Sequence, residues 1–354
     1  MTDSTPRTVF VLGAGASKEA NLPLGSELKA KIASALDIRF EHGSQKVSGD
    51  DEITTALRLA AQSATPPSRD INPYLAAAWR IRDAMPQAIS IDNFVDSHAD
   101  DPRIAFCGKL AIVKTILDAE RSSMLYFDRV SSRSHLDFAT LEPTWFNAFF
   151  QLLTENCRRS GVEGRLRSVA LVIFNYDRCI EQYIYFALQN YYGMTEQEAA
   201  AATQALEIHH PYGQVGSLAW SGPQSPIPFG ESPRPQQLVR VAEQIKTFTE
   251  GTNPADAGFQ RITQLLATAP RLVFLGFAFH RLNIDLLFPQ GATATPDTGR
   301  RVYATAFGVS ASDIKDIATA LVNVAGCRDH NIHIGGQLTC AGLFKEYWRS
   351  MSLA

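Results

Sequence analysis

The chain predicts an α/β protein, a doubly wound, parallel, Rossmann-like sheet with a helical insertion. Three observations lead there. Thr8–Leu12 is a short apolar run with β-branched residues that breaks into Gly13-Ala14-Gly15-Ala16-Ser17, as when a buried parallel strand feeds a helix through a tight turn. Val169-Ala170-Leu171-Val172-Ile173-Phe174 is apolar at every position, which suits a strand covered on both faces. Runs of this kind alternate with stretches of helical periodicity, the pattern of a parallel sheet with crossover helices.

Thr8–Leu12 reads as the first strand and Gly25–Leu36 as the helix after the turn. Residues 41–52 read as a polar, glycine-containing loop. Ile53–Gln62, Tyr74–Met85, Arg103–Glu120 and Pro143–Cys157 carry apolar residues at helical spacing with no convincing strand between them. Residues 40–163 are therefore read as a helical insertion that splits the sheet domain into residues 1–39 and 164–354. Ser168–Phe174 is the next strand and runs into Asn175-Tyr176-Asp177, after which a helix starts at Arg178. A shorter helix, Glu196–Leu206, precedes Ile208-His209-His210-Pro211-Tyr212-Gly213. Five prolines and two glycines make Ser221–Pro235 an irregular loop. Helices at Gln236–Phe248 and Ala255–Thr268 lead to a strand at Arg271–Leu275 that ends in Gly276. A further strand, Arg301–Ala306, is followed by a helix at Ser312–Val324, a short strand near Ile332–Ile334 and a final helix at Leu338–Met351.

With 354 residues, 45% of them hydrophobic and 19% charged, and a net charge of −3, the composition is that of an ordinary globular protein with a large core. There is no basic excess for nucleic-acid backbone. No stretch approaches the length of a membrane span, and Met1-Thr2-Asp3-Ser4-Thr5-Pro6 has no signal character, so the chain reads as cytoplasmic. Cys107, Cys157, Cys179, Cys327 and Cys340 stand singly, which argues against a disulfide framework and against a structural zinc site.

In doubly wound sheets, ligands bind at the carboxyl ends of the strands. Three motifs fall there: the Gly13–Ser17 turn, Asn175–Asp177, and Gly276 with the Asn283-Ile284-Asp285 that follows. The His209–Gly213 segment lies close behind a strand. Gly13 and Gly15 suit a turn that brings N–H groups onto a pyrophosphate, because such a turn needs positive φ and has no room for a Cβ. Yet Lys18 stands where a dinucleotide fingerprint wants a third Gly or Ala, and no Gly-Lys-Ser/Thr closes a P-loop. A strand-to-helix turn also uses glycine without touching a phosphate. Asn175 and Asp177 equally suit the N-cap of the following helix, and paired histidines beside a strand equally suit simple packing. Asp92, in Ser90-Ile91-Asp92-Asn93-Phe94, reads most simply as another helix cap, and His280 as a surface or loop residue.

The order of these motifs resembles the sirtuin-like NAD-consuming domains of bacterial antiviral defence: Gly-Ala-Gly-Ala-Ser with a downstream Leu22-Pro23, Asn175-Tyr176-Asp177 after an apolar strand, a His–Gly element, then Leu275-Gly276-Phe277 with a downstream Asn. The likeness covers most of the chain from Val9 to Phe307. It implies that residues 1–39 and 164–354 form an NAD-binding catalytic domain. Gly13, Ala14, Gly15, Ala16 and Ser17 would cradle the pyrophosphate through backbone amides. Asn175 would match the catalytic Asn at the nicotinamide ribose, Asp177 the Asp against the carboxamide pocket, and His210 the catalytic His, with His209 as the alternative. Gly276 and Asn283 would lie along the adenosine. Related domains also carry an Ile-Asp-x-Phe element like that at Asp92.

The chain departs from true sirtuins in two respects. Residues 211–326 contain no cysteine, where sirtuins have a four-cysteine zinc module, and Leu24-Gly25 follows Pro23 where they carry Phe-Arg. The resemblance therefore implies water rather than an acyl-lysine as acceptor: an NAD glycohydrolase that releases nicotinamide and ADP-ribose, with NAD as substrate and no zinc. It further implies a defence effector, homo-oligomeric, triggered by a hexameric HerA-type ATPase or another sensor. A non-catalytic NAD or ADP-ribose sensor is the alternative, followed by a protein deacylase. A dehydrogenase is disfavoured, because no second strand ends in an acidic residue about 20 positions past the glycines.

Overall fold

The computed structural model describes residues 8–42, 45–128, 135–222, 226–247, 250, 256–289 and 299–353. The elements, in chain order, begin with strand β1 (Thr8–Leu12), the short helix α1 (Ala14–Lys18) and α2 (Gly25–Leu36). A hairpin follows, β2 (Arg39–Glu41) and β3 (Gln45–Ser48), and then the helices α3 (Asp51–Ser63), α4 (Asn72–Ala84), α5 (Ile91–Asp96) and α6 (Pro102–Arg121). The helices α7 (Phe138–Leu141), α8 (Trp145–Thr154) and α9 (Val162–Leu166) lead to β4 (Val169–Ile173), α10 (Cys179–Tyr192), α11 (Glu196–Gln204) and β5 (Glu207–His209). The chain continues through α12 (Pro235–Gln244), α13 (Ala257–Thr268), β6 (Arg271–Leu275), α14 (Arg281–Leu287), β7 (Arg301–Thr305), α15 (Ala311–Ala325), β8 (Ile332–Gly335) and α16 (Cys340–Met351).

The main sheet has six parallel strands in the order β5-β4-β1-β6-β7-β8. Counting only these six along the chain, the order is 3-2-1-4-5-6, that of a doubly wound Rossmann-like fold. Alternation along each strand divides the interior in two. Val9, Val11, Ala170, Val172, Leu272, Phe274, Val302 and Ala304 face one core, shared with α2, α3, α4, α6 and α12. Phe10, Leu12, Leu171, Ile173, Val273, Leu275 and Tyr303 face the other, shared with α8, α10 and α16.

Residues 40–163 supply helices to both faces: α3 to α6 pack on the first, joined there by α12, and α8 packs against α16 and α10 on the second. Glu19, just past α1, sets the second layer by capping two helices, since its carboxylate accepts from the amides of Trp145 (2.7 Å) and Ala341 (3.0 Å). Three expectations change. The hairpin β2–β3 occupies residues read as loop; its strands are short and half-exposed, without an apolar run to reveal them. A one-turn helix, α1, starts directly after Gly13, where only a turn was expected. The helix expected to reach Phe248 ends at Gln244, where Ile245 turns extended; Phe248, Ala255, part of the expected loop at Ser221–Pro235 and the Met1–Pro6 segment lie outside the described residues. Among the described residues, no helix is long and apolar enough to cross a membrane.

Candidate functional site

Strand register builds the site. Leu12 pairs with both Ile173 and Leu275, so β1, β4 and β6 end at the same level. The residues that follow emerge side by side, with Gly13 in the middle, Phe174 and Asn175 on one flank and Gly276 on the other. Gly13 N–H donates to the Leu275 carbonyl (3.0 Å) and Gly15 N–H to the Gly276 carbonyl (3.0 Å), which brings the two turns into backbone contact. A Cβ on Gly13 would lie 2.5 Å from Gly276 O, one on Gly15 2.7 Å from Gly276 Cα, and one on Gly276 2.1 Å from Ala16 N. Gly276 also has a φ of +57°, a conformation that side chains resist. These glycines are required by the approach of two turns. Of the five amides assigned to the pyrophosphate, that of Gly13 is committed to Leu275, that of Gly15 to Gly276 and that of Ala16 to the Gly13 carbonyl (2.9 Å). Ala14 is the exposed member of the group.

The polar groups converge at Asn175. Its Nδ2 donates to Gly13 O and to Ser17 Oγ, each at 3.0 Å. Because a backbone carbonyl only accepts, the atom beside Gly13 O must be the amide nitrogen. The amide oxygen, Oδ1, is thereby turned away from both partners. Ser17 Oγ in turn donates to Asp177 Oδ2 (2.7 Å), and Asp177 Oδ1 accepts from the Cys179 amide (3.1 Å). Asp177 is buried beneath the turn and caps α10, so the helix-cap reading holds for it and not for Asn175. Burial pushes its carboxyl above the usual range, opposed by the bonds from Ser17 and Cys179.

The structure separates the two histidines. His209, on the edge strand β5, places Nε2 2.9 Å from Glu207 Oε1, and Glu207 is paired with Arg261 (2.6 and 2.8 Å). His210 is the one at Asn175: Nδ1 lies 3.1 Å from the Asn175 carbonyl, and Nε2 lies 2.8 Å from Glu181 Oε1. Burial disfavours the imidazolium, but the Glu181 carboxylate and the Asn175 carbonyl outweigh it and raise the His210 pKa above its ordinary value.

Asn283 is buried on α14, where its Oδ1 accepts from Tyr212 Oη (2.7 Å). The Tyr212 ring packs edge-on against Phe174, which packs on Phe277. Asp92 lies 2.6 Å from Tyr176 Oη, and that hydroxyl is also 2.9 Å from the Lys246 carbonyl. The middle residue of the Asn-Tyr-Asp motif is thus tied to α5.

Sequence reasoning did not find Glu181, Tyr212 or the pair Arg178–Glu120. Arg178 and Glu120 are fully buried, joined by Nε–Oε1 (3.0 Å) and Nη2–Oε2 (2.5 Å), and the pair fastens α6 to the start of α10. Burial raises the Glu120 carboxyl and the Arg178 charge opposes it. Glu181 lies in the first turn of α10, where an acid reads as an ordinary partner of the helix dipole. Cys179 is buried, and burial pushes its thiol well above the usual range, which disfavours the thiolate. No group of three His, Cys, Asp or Glu among the described residues is arranged to hold a metal ion. No protein-family model and no curated protein matches the chain.

Proposed function

We propose that this protein is an NAD glycohydrolase, cleaving NAD to nicotinamide and ADP-ribose. The observation that carries the reading is the aim of Asn175: its amide nitrogen is held by Gly13 O and Ser17 Oγ, which leaves Oδ1 as an oriented acceptor at the carboxyl edge between β1 and β4. The bond that breaks joins the ribose anomeric carbon to the pyridinium nitrogen of nicotinamide. The leaving group departs neutral, and an oxocarbenium-like centre remains. Such a centre reacts with water readily, so the catalyst has to orient the ribose and the water rather than make a strong nucleophile. Asn175 Oδ1 would accept from a ribose hydroxyl or from the attacking water, whose proton passes to solvent as the new C–O bond forms. The role of His210 changes with this geometry: its two nitrogens face a carbonyl and a carboxylate, so it acts behind Asn175 and not as the base. In the same proposal the chain is a cytoplasmic, homo-oligomeric defence effector that depletes NAD when a HerA-type ATPase or another sensor triggers it.

A second reading, a non-catalytic NAD or ADP-ribose sensor, is favoured by that occupancy of both imidazole nitrogens, since a binder needs no base. One experiment separates the two. Purified protein is incubated with NAD while nicotinamide and ADP-ribose are followed, with Asn175→Ala as control. Release by the wild type and its loss in the folded variant supports the hydrolase; binding by calorimetry without release, even with a partner present, supports the sensor.

A further inference from the structure

Glu181 has a place in the site that the reaction as described leaves unexplained. Its side chain and that of His210 are each about nine-tenths buried, and the contact between them joins α10 to the segment after β5. The Asn175 carbonyl can only accept, so His210 Nδ1 carries a proton. Nε2 faces Glu181 Oε1 at 2.8 Å, and a carboxylate there is an acceptor as well, so the ring has acceptors at both ends. An imidazole between two acceptors satisfies both only as the doubly protonated cation. The other Glu181 oxygen, Oε2, is buried with no hydrogen-bond partner among the described residues. The carboxylate therefore spends its one protein contact on the imidazole. Asp177 on the same side adds negative charge toward the ring, and the Glu120–Arg178 pair behind it is internally neutralised.

We propose that Glu181 is a positioning residue for NAD cleavage: it holds His210 as the imidazolium, and the His210 Nδ1–H grips the Asn175 carbonyl and so sets the aim of the Asn175 amide. This rests on the hydrolase reading above. It turns the paired histidines of the sequence into a clamp with a charged hinge. Deprotonation of His210 would leave one end of the clamp open, because a neutral ring has a single N–H for two acceptors.

The test uses the full chain and Glu181→Gln, which keeps size and hydrogen bonding but removes the charge. Nitrogen-15 NMR of the imidazoles reports His210 directly: a doubly protonated ring is expected in the wild type at a pH of about 7.5, and a neutral ring in Glu181→Gln, because burial is then opposed only by the weaker influences of the Asn175 carbonyl and the Asp177 charge. In turnover, the alkaline limb of kcat should move to lower pH by roughly one unit in Glu181→Gln, about ten-fold in proton concentration, with KM for NAD changed less than about two-fold. Glu181→Asp should restore part of the shift. A neutral His210 in the wild type, or an alkaline limb unmoved in Glu181→Gln, overturns the proposal. If the wild type releases no nicotinamide at all, the hydrolase reading fails and with it the catalytic role of Glu181, while the NMR arm still decides whether Glu181 charges His210.

Discussion

The Gly13–Ser17 turn and the Asn175–Asp177 segment leave neighbouring parallel strands at the same level, and they look alike as strings of small and polar residues. They are built by different forces. In the turn, Gly13 and Gly15 are glycines because the Gly276 backbone lies where their Cβ atoms would be; the constraint is steric and belongs to the fold. In the Asn175 segment the fit is not steric. Asn175 is half-exposed, its side chain is fixed by hydrogen bonds, and one amide oxygen is left over. A glycine motif at a strand end is thus weak evidence for a ligand when another turn already occupies the space, whereas a polar group oriented more fully than the fold needs is stronger evidence.

The largest effect should come from breaking the steric side. Gly15→Val places a branched side chain against Gly276 Cα, 2.7 Å from the new Cβ. Overpacking of this kind costs about 1–3 kcal/mol where neighbours can shift, and here the neighbour is backbone. A large fall in the melting temperature, or loss of soluble protein, is expected; a melt within a few degrees of wild type would show that the turns can separate. For this reason a loss of NAD affinity in Gly15→Val is not evidence of a phosphate contact. Next comes the buried anchor beside the site. Glu120→Ala strands the fully buried Arg178 guanidinium, at a cost of about 3–5 kcal/mol, read from the denaturant midpoint.

Asn175→Ala should invert that pattern. Losing its bonds to Gly13 O and Ser17 Oγ costs about 1 kcal/mol of stability, while NAD turnover falls by roughly 10²–10³-fold, as for other oriented amides at a developing charge. Melting and nicotinamide release measured on the same sample test it, and a variant that melts early but turns over normally would make Asn175 structural. The pH dependence of stability sharpens the distinction further. His210 has a folded pKa raised above its ordinary value of 6.5, so its contribution is complete below about 6.5 and is lost as pH rises through the raised value. The melting difference between wild type and His210→Gln should therefore shrink with increasing pH over that window. A constant difference would mean that folding does not raise the pKa of the ring. The smallest effect belongs to His209→Ala, which loses one contact to Glu207 on an edge strand while Arg261 keeps that carboxylate paired; turnover should change by less than about two-fold.

What was legible in the sequence is what local pattern encodes. The strands β1, β4, β6 and β7 are apolar runs because they are covered on both faces, and their alternation with helices gives the parallel sheet and the edge at which Gly13, Asn175 and Gly276 stand. The hairpin β2–β3 was not legible, because an exposed two-stranded ribbon buries too little to leave a periodic mark. Nor were the partnerships that define the site. Glu181 meets His210 across 29 residues of sequence, and Tyr212 meets Asn283 across 71. Gly15 and Gly276 touch only because Leu12 and Leu275 end their strands in register. The amino-acid sequence alone determined that the apolar strands β1, β4, β6 and β7 form and at which edge the polar motifs collect, since burial and periodicity act over a few neighbouring residues. Tertiary structure decided which amides and which imidazole nitrogens are already taken, because a hydrogen-bonding group has few valences and only the folded chain shows where each is spent.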